Sequence, residues 1–206
     1  MTLTAEGFAH RTGVSRETLT RLEAYVRLLT AWNQRINLVG RTTIDDVWWR
    51  HILDSAQLLP HLPAAARRAV DLGSGAGLPG LVLAILGVPE VHLIESDRRK
   101  AVFLAEAIRI TAAPAILHAE RIERVAAFPV EVVTARACAP LPVLLDLAWP
   151  FLGSGTICLL PKGVSVAAEL TAARKEWNME VTMLSSVTDP QGTILRVEGV
   201  SRVERP

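Results

Sequence analysis

Cysteine, tyrosine, lysine and long apolar runs are scarce in this chain, and each scarcity removes a class of function. The two cysteines, Cys138 and Cys158, form no C-x-x-C pair and no metal-ligand spacing, so no metal centre is expected. Both read as small buried apolar residues in a reducing cytoplasm. No apolar run reaches the length of a membrane span. The opening stretch Met1-Thr2-Leu3-Thr4-Ala5-Glu6 lacks a basic region followed by an apolar one, so neither a membrane nor a secretory route is expected. Charge of one sign is also missing: the net charge is +1, so any nucleic-acid surface must be a local patch. The only lysines are Lys100, Lys162 and Lys175, and the remaining 19 of the 22 basic residues are Arg. There is no internal repeat and no low-complexity segment.

What is present is a chain of 206 residues, half of them hydrophobic, enough for one medium domain and a small appendage. Ser15 caps a helix whose apolar stripe, Leu19, Leu22, Val26 and Leu29, runs to about Gln34. Thr43-Ile44-Asp45-Asp46 resembles a capping box opening a second helix that carries Val47, Trp48, Ile52, Leu53 and Ala56 inward and ends near Pro60. From Arg67 the rhythm changes to alternating strand and helix. Strands are expected at Ala69–Leu72, Val91–Glu95, Ala115–His118, Val130–Ala135 and Gly155–Leu160. Helices are expected at Leu78–Leu86, Asp97–Ile110, Pro142–Phe151 and Val164–Trp177. Two last strands, near Met179–Leu184 and Thr193–Val200, flank the turn Asp189-Pro190-Gln191-Gly192. The expected architecture is an α/β fold: a helical extension, residues 1–66, precedes a domain, residues 67–206, with a mostly parallel sheet closed by an antiparallel hairpin.

The sheet opens on Val70-Asp71-Leu72-Gly73-Ser74-Gly75-Ala76-Gly77-Leu78-Pro79-Gly80, a strand, glycine-rich turn and helix start. Two cofactors compete for it. Gly75 to Gly80 matches G-x-G-x-x-G, the dinucleotide fingerprint of an NAD-dependent oxidoreductase. Asp71 to Gly77 matches the acidic-x-G-x-G-x-G turn of S-adenosyl-L-methionine (SAM)-dependent methyltransferases. A carboxylate beside the turn repels a pyrophosphate but attracts the ammonium and sulfonium of the methyl donor, so Asp71 favours the second. A proton-handling Tyr for the oxidoreductase is lacking, since Tyr25 lies on the first helix. A third reading is a non-catalytic nucleotide-binding module.

Ligands of open parallel sheets sit beyond the carboxyl ends of the strands. After the second strand, Glu95 suits the two ribose hydroxyls of a nucleoside. After the third, Glu120 or Glu123 can accept from an adenine amino group while Ile122 covers the ring, and spacing does not choose between the acids. After the fourth strand stands Thr134-Ala135-Arg136-Ala137-Cys138-Ala139-Pro140, with no Asn or Asp before Pro-Pro-aromatic and no Pro-Cys nucleophile. Arg136 is a multiple donor without general-base capacity. Oxygen and amine acceptors need a base to take their proton. Guanine N7 carries a free lone pair, with O6 accepting hydrogen bonds on the same edge. Arg136 can hold O6, or it can bind the donor's carboxylate.

With Trp32-Asn33 and Asn37-Leu38, Arg50-His51-Ile52-Leu53-Asp54-Ser55, the glycine turn, Glu95 to Leu104, Arg121-Ile122-Glu123, Val133 to Ala137 and Lys162-Gly163, the chain resembles the bacterial small-subunit ribosomal RNA methyltransferase G (glucose-inhibited division protein B) family over nearly its whole length. The family often has Asp where Glu131 stands and Thr where Val39 stands. The resemblance implies a class I methyltransferase fold that uses SAM to methylate N7 of guanosine 527 in the decoding-region loop of 16S ribosomal RNA. It implies donor contacts at Gly73, Leu78, Ile122, Glu123 and Arg136, with Glu95 near the ribose, and it favours Glu123 over Glu120; the reading of the glycine turn adds Asp71, Gly75 and Gly77 to the expected cofactor site. It places Arg50 and His51 at the site mouth, where they contact RNA or close over the donor. Arg98, Arg99 and Lys100 are the clearest basic cluster for RNA phosphates. Asp54 and Ser55 are expected to serve in i,i+4 pairs with Arg50 and His51. The expected partner is 16S RNA, the small subunit or its assembly intermediate, met by a monomer.

Overall fold

The computed structural model describes residues 3–204; Met1 and Thr2 of the opening stretch fall outside it. Eight-residue helix α1 (Ala5–Thr12), capped by Thr4, precedes α2 (Arg16–Asn33), capped by Ser15. The sheet elements follow as β1 (Arg68–Leu72), α4 (Gly80–Ile85), β2 (Glu90–Ile94), α5 (Arg98–Thr111), β3 (Ala115–His118), β4 (Val132–Thr134), α6 (Leu141–Ala148), β5 (Ile157–Lys162), α7 (Val166–Ala173), β6 (Trp177–Ser185) and β7 (Thr193–Arg202), with a short α3 (Asp54–Ala56) ahead of β1. Strand order is β3-β2-β1-β4-β5-β7-β6; pairing is parallel from β3 through β5, and β7 runs antiparallel to both of its neighbours. This is the class I methyltransferase arrangement.

The β residues divide between two cores in the period-two manner of a sheet covered on both faces. Ala69, Val91, Leu93, Val132 and Leu159 join Phe8, Leu22, Tyr25, Leu29 and Ile52 of the N-terminal helices and the apolar faces of α4 and α5. Val70, Leu72, Ile94, Val133, Cys158 and Leu160 join α6, α7, Phe151 and Trp177 on the other face. The helices ahead of β1 therefore complete one face of the sheet. Arg21 donates to the α5 carbonyls of Thr111 (2.6 Å) and Ala112 (2.9 Å), meeting the free end of that helix. The Tyr25 hydroxyl donates to the Ala76 carbonyl at 2.6 Å, fixing the glycine turn from α2.

Four local expectations change. The helix expected from Thr43 to Pro60 is a succession of short pieces: a 3-10 turn at Ile44–Asp46, a π-helical stretch at Trp48–Leu53, α3, and a second 3-10 turn at Leu59–His61. Thr43 makes no capping bond; its hydroxyl instead serves Gly40 O and His51 Nε2, each at 2.8 Å. The Arg50–Asp54 pair does not form, because Asp54 pairs with Arg136 at 3.0 Å. Trp177, expected at a helix end, instead opens β6, fully buried and covered by Arg202 at 3.8 Å from its ring centre. Helix α1 has no long apolar stripe by which sequence alone would mark it.

Trp32 and Asn33 are structural. Trp32 meets Phe103 edge-on at 5.8 Å. Asn33 Oδ1 accepts from Leu38 N (2.9 Å) and Val39 N (3.0 Å), folding the loop after α2 into a fixed ridge.

Gly80 lies so close to β1 that an added Cβ would sit 2.6 Å from Asp71 Cβ and from Leu93 Cδ2. Gly80→Ala is expected to overpack this junction and lower stability by about 1–3 kcal/mol, measured as a fall in denaturation midpoint.

Candidate active site

The chain runs from β1 outward to β3 and returns to β4 on the other side of β1, so the switch in strand order lies between β1 and β4. A cleft of about 870 Å³ opens there, beyond the carboxyl ends of the strands. Its walls come from Gly73–Ala76 and Leu78 of the turn after β1, Arg136–Pro140 after β4, Pro161–Gly163 at the end of β5, the β6–β7 turn around Thr188, and, from the N-terminal part, Leu38–Gly40, Thr43, Arg50, His51, Asp54 and Gln57.

The glycine turn is backbone with its side chains withheld. Gly73 and Gly75 both have positive φ, at 64° and 56°. A Cβ at Gly73 would meet Cys138 Sγ at 2.7 Å, so the glycine is what lets the two loops touch. At Gly75 a Cβ would meet nothing closer than the Gly73 carbonyl at 3.8 Å, so this position faces open cleft. Gly77 differs. It is buried, and its Cβ would strike Leu81 and Leu104, which makes it a packing position and not a wall of the cleft.

Two carboxylates stand behind the turn. Asp71 is fully buried behind the turn and does not line the cleft. Its Oδ1 accepts from the Thr134 hydroxyl at 2.7 Å, and its Oδ2 has no hydrogen-bond partner among the described residues. Burial pushes this carboxyl up to about 6, with the Thr134 hydroxyl offsetting part of the rise. Glu95 is likewise buried. It accepts from Gly75 N at 2.8 Å through Oε2 and from Asp97 N at 2.7 Å through Oε1, so it ties the turn to the start of α5. Each oxygen keeps a second lone pair for a ligand hydroxyl. Ile122 and Glu123 occupy a 3-10 turn after β3, beside the cleft and outside its wall.

The far wall is a hydrogen-bond junction that sequence reasoning missed. Arg136 donates to Asp54 Oδ2 at 3.0 Å, and its other terminal nitrogen lies 3.3 Å from His51 Nδ1. Asp54 Oδ1 also accepts from the Thr188 hydroxyl (2.5 Å) and from Gln57 Nε2 (2.9 Å). Gln57 Oε1 accepts from Val187 N at 2.8 Å, and Trp49 Nε1 donates to Thr188 O at 2.9 Å. One carboxylate thus joins the N-terminal segment, the loop after β4 and the β6–β7 turn. The signal available was a group of polar residues in an otherwise apolar stretch, Arg50 to Gln57.

His51 is only 7% exposed, and burial beside Arg136 and Arg50 pulls its imidazole down to about 3. The ring is neutral at physiological pH and both nitrogens are engaged, so His51 offers neither charge to a phosphate nor a free base. Arg50 is exposed on the cleft rim. The loop after β4 is held open at a cost: Ala137 has φ 52°, worth about 1–2 kcal/mol for a non-glycine residue. Lys162 holds it by donating to Ala139 O at 3.0 Å and to Glu169 at 2.9 Å, and Glu169 accepts from Leu141 N at 2.8 Å. Burial raises the Cys138 thiol, keeping it protonated and supporting its structural reading. Arg98 and Arg99 are exposed on the first turn of α5, while Lys100 reaches the cleft. Among the described residues no cluster suited to a metal ion is found, and no helix is long and apolar enough to cross a membrane.

Solved structures with this fold include a mutant of MtNAS in complex with S-adenosylmethionine (TM-score 0.57, 13% identity, 95% of this chain and 84% of that one). Another is M. jannaschii TYW2 in complex with AdoMet (TM-score 0.57, 15% identity, 84% and 80%). At such identities the likeness concerns the fold. Sequence relatives are nearer. The Ribosomal RNA small subunit methyltransferase G of Rhodospirillum centenum is 59% identical over 96% of this chain and 91% of its own length. That of Rhodospirillum rubrum is 56% identical over 97% and 100%. The family model described as rRNA small subunit methyltransferase G matches residues 18–195, and the chain belongs to that family.

Proposed function

We propose that this protein methylates N7 of a guanine in 16S ribosomal RNA, guanosine 527 of the decoding-region loop, with SAM as methyl donor. The observation that carries the reading is that the groups bonded to Arg136, and the thiol of Cys138 on the same loop, are already committed. His51 is neutral with both nitrogens committed, Asp54 is engaged by Arg136, Thr188 and Gln57, and the Cys138 thiol is held protonated. An acceptor here must therefore attack without shedding a proton. N7 of guanine does so through its lone pair, and catalysis rests on proximity and orientation. A guanine methylated at N7 gains a positive charge. Asp54 neutralises the Arg136 guanidinium beside it, so the wall does not repel that charge.

The donor fits the cleft: the open face at Gly75 leaves room for it, and the unpartnered Asp71 Oδ2 behind the turn supplies negative potential without contact. When bound, SAM supplies a methyl group on a sulfonium. Gly73, Gly75 and Leu78 line its place, Glu95 receives ribose hydroxyls on its remaining lone pairs, and Ile122 and Glu123 flank the base. Arg50, Lys100 and the exposed Arg98 and Arg99 face the RNA. The oxidoreductase alternative loses its proton donor, since Tyr25 is buried and bound to Ala76. The division into residues 1–66 and 67–206 is proposed as one of roles, the first part shaping the substrate wall and the second the donor turn. The protein is proposed to act as a cytoplasmic monomer without a metal, on the small subunit or its assembly intermediate.

Nucleoside mass analysis and primer extension of 16S RNA from cells lacking this protein are expected to show loss of 7-methylguanosine at that loop; an unchanged modification would overturn the proposal. Gly75→Asp meets no crowding but adopts φ 56° at a cost of about 1–2 kcal/mol; it is expected to fold with a correspondingly lower melting temperature and to lose SAM binding in calorimetry. Asp54→Asn is expected to lower kcat at least tenfold, about 1.4 kcal/mol, with SAM affinity nearly unchanged. Asp71 gives a pH signature. Its folded carboxyl titrates near 6, above its ordinary 3.8, so the stability it contributes is present below pH 3.8 and is lost as pH rises through about 6. Affinity for the cationic donor moves the other way, rising through pH 6, and Asp71→Asn is expected to flatten both profiles.

A further inference from the structure

Beside the main cleft lies a second cavity of about 260 Å³, lined by Asn33–Asn37 and Arg41 from the loop after α2 and by Asp97, Arg99 and Lys100 from the start of α5. Four cationic side chains, Arg35, Arg41, Arg99 and Lys100, converge on it from two separate elements. None of the four side chains makes a hydrogen bond or ion pair among the described residues. Five arginines elsewhere, Arg68, Arg109, Arg136, Arg196 and Arg202, pair with carboxylates, while others such as Arg16, Arg27 and Arg174 are unpaired among the described residues; what distinguishes this group is that four cations share one cavity. The one acid of the cavity, Asp97, caps α5 by accepting from Arg99 N (2.8 Å) and Lys100 N (3.2 Å) through Oδ1, and its single charge leaves the cavity with a cationic excess. Like charges gathered around a small cavity repel one another unless an anion joins them.

The loop that carries Arg35 and Arg41 is fixed in shape by Asn33, and its other side, Leu38 to Gly40, is a wall of the main cleft. Lys100 lines both cavities. An anion seated in the smaller one is therefore the immediate neighbour of whatever enters the larger.

We propose that this cavity seats one backbone phosphodiester of the substrate RNA, next to the nucleotide that enters the cleft, with Arg35 and Arg41 as its principal ligands. The inference rests on the RNA methyltransferase reading and adds to it the place where the strand is gripped. Phosphate contacts of this kind fix register and contribute salt-dependent affinity.

The test is an Arg35→Ala, Arg41→Ala double variant, with an Arg35→Lys, Arg41→Lys variant as its charge-conserving control. Binding of a 16S decoding-loop RNA is followed by anisotropy across a salt series, and methylation of small subunits is followed in parallel. The alanine variant is expected to bind RNA at least tenfold more weakly. The slope of its log affinity against log salt is expected to shrink by about 0.7–0.9, the value of one phosphate. SAM affinity, melting temperature and kcat at saturating RNA are expected to match the unaltered protein, and the lysine variant is expected to keep the salt slope. Unchanged RNA affinity and slope in the alanine variant would overturn the proposal. So would binding of inorganic phosphate by the cavity without any effect on RNA, which would assign it to a small free anion. Because RNA binding is read independently of turnover, failure of the unaltered protein to methylate RNA would fall on the function and not on the cavity.

Discussion

The Asp54 carboxylate lies where three parts of the chain meet, and its contacts decide whether the cleft has a far wall. Arg136 comes from the loop after β4, Thr188 from the β6–β7 turn, and Asp54 itself from the π-helical segment's end, with partners 82 and 134 residues away in sequence. The pair is part-buried, its side chains 19% and 17% exposed, so it is only partly shielded from solvent. Its importance is directional. Arg136 cannot swing toward solvent while Asp54 and His51 hold it, and the β6–β7 turn cannot lift away while Thr188 and Gln57 hold it. The π-helical geometry, uncommon and often found at functional sites, sets which side chains of the segment face that wall.

The same junction explains why the N-terminal helices behave as part of the catalytic domain. They bury Phe8, Leu22, Tyr25, Leu29 and Ile52 in the core shared with β1, β2 and β4. Tyr25 reaches the glycine turn, Arg21 closes the end of α5, and Asn33 shapes the ridge between the two cavities. Donor turn and substrate wall are thus both braced from one side of the sheet, while α6 and α7 cover the other face and the Lys162–Glu169 pair supports the loop after β4.

Much of this is legible in the sequence where the information is local. The Ser15 cap, the Asp97 start of α5, the parallel β rhythm and the antiparallel closing pair all follow from period and punctuation, and the bounds differ by one to a few residues. Glycines at 73, 75 and 77 mark the turn, although sequence spacing does not separate the open position from the packed one. What cannot be read is long-range. Nothing near Asp54 signals Thr188, and nothing near Asp71 shows that its carboxylate is enclosed behind the turn. The segment from Thr43 to Pro60 has a helical stripe, yet its polar groups bind partners outside it and divide it into short turns. The apolar surface of Trp177 suits a helix end as well as a strand start, and only packing against Trp149 and Arg202 distinguishes them.

The closeness of Gly73 to Cys138 has one more consequence. The sulfur occupies the volume that any side chain at position 73 would need, so the two residues act as a single steric unit divided between the donor loop and the acceptor loop. A larger residue on one loop requires a smaller one on the other, and a bulky adduct on the thiol pushes directly on the turn behind it. Half-buried and without a reactive thiolate, Cys138 is a mechanical linkage: a change in the shape of either loop is felt by the other without passing through the ligand.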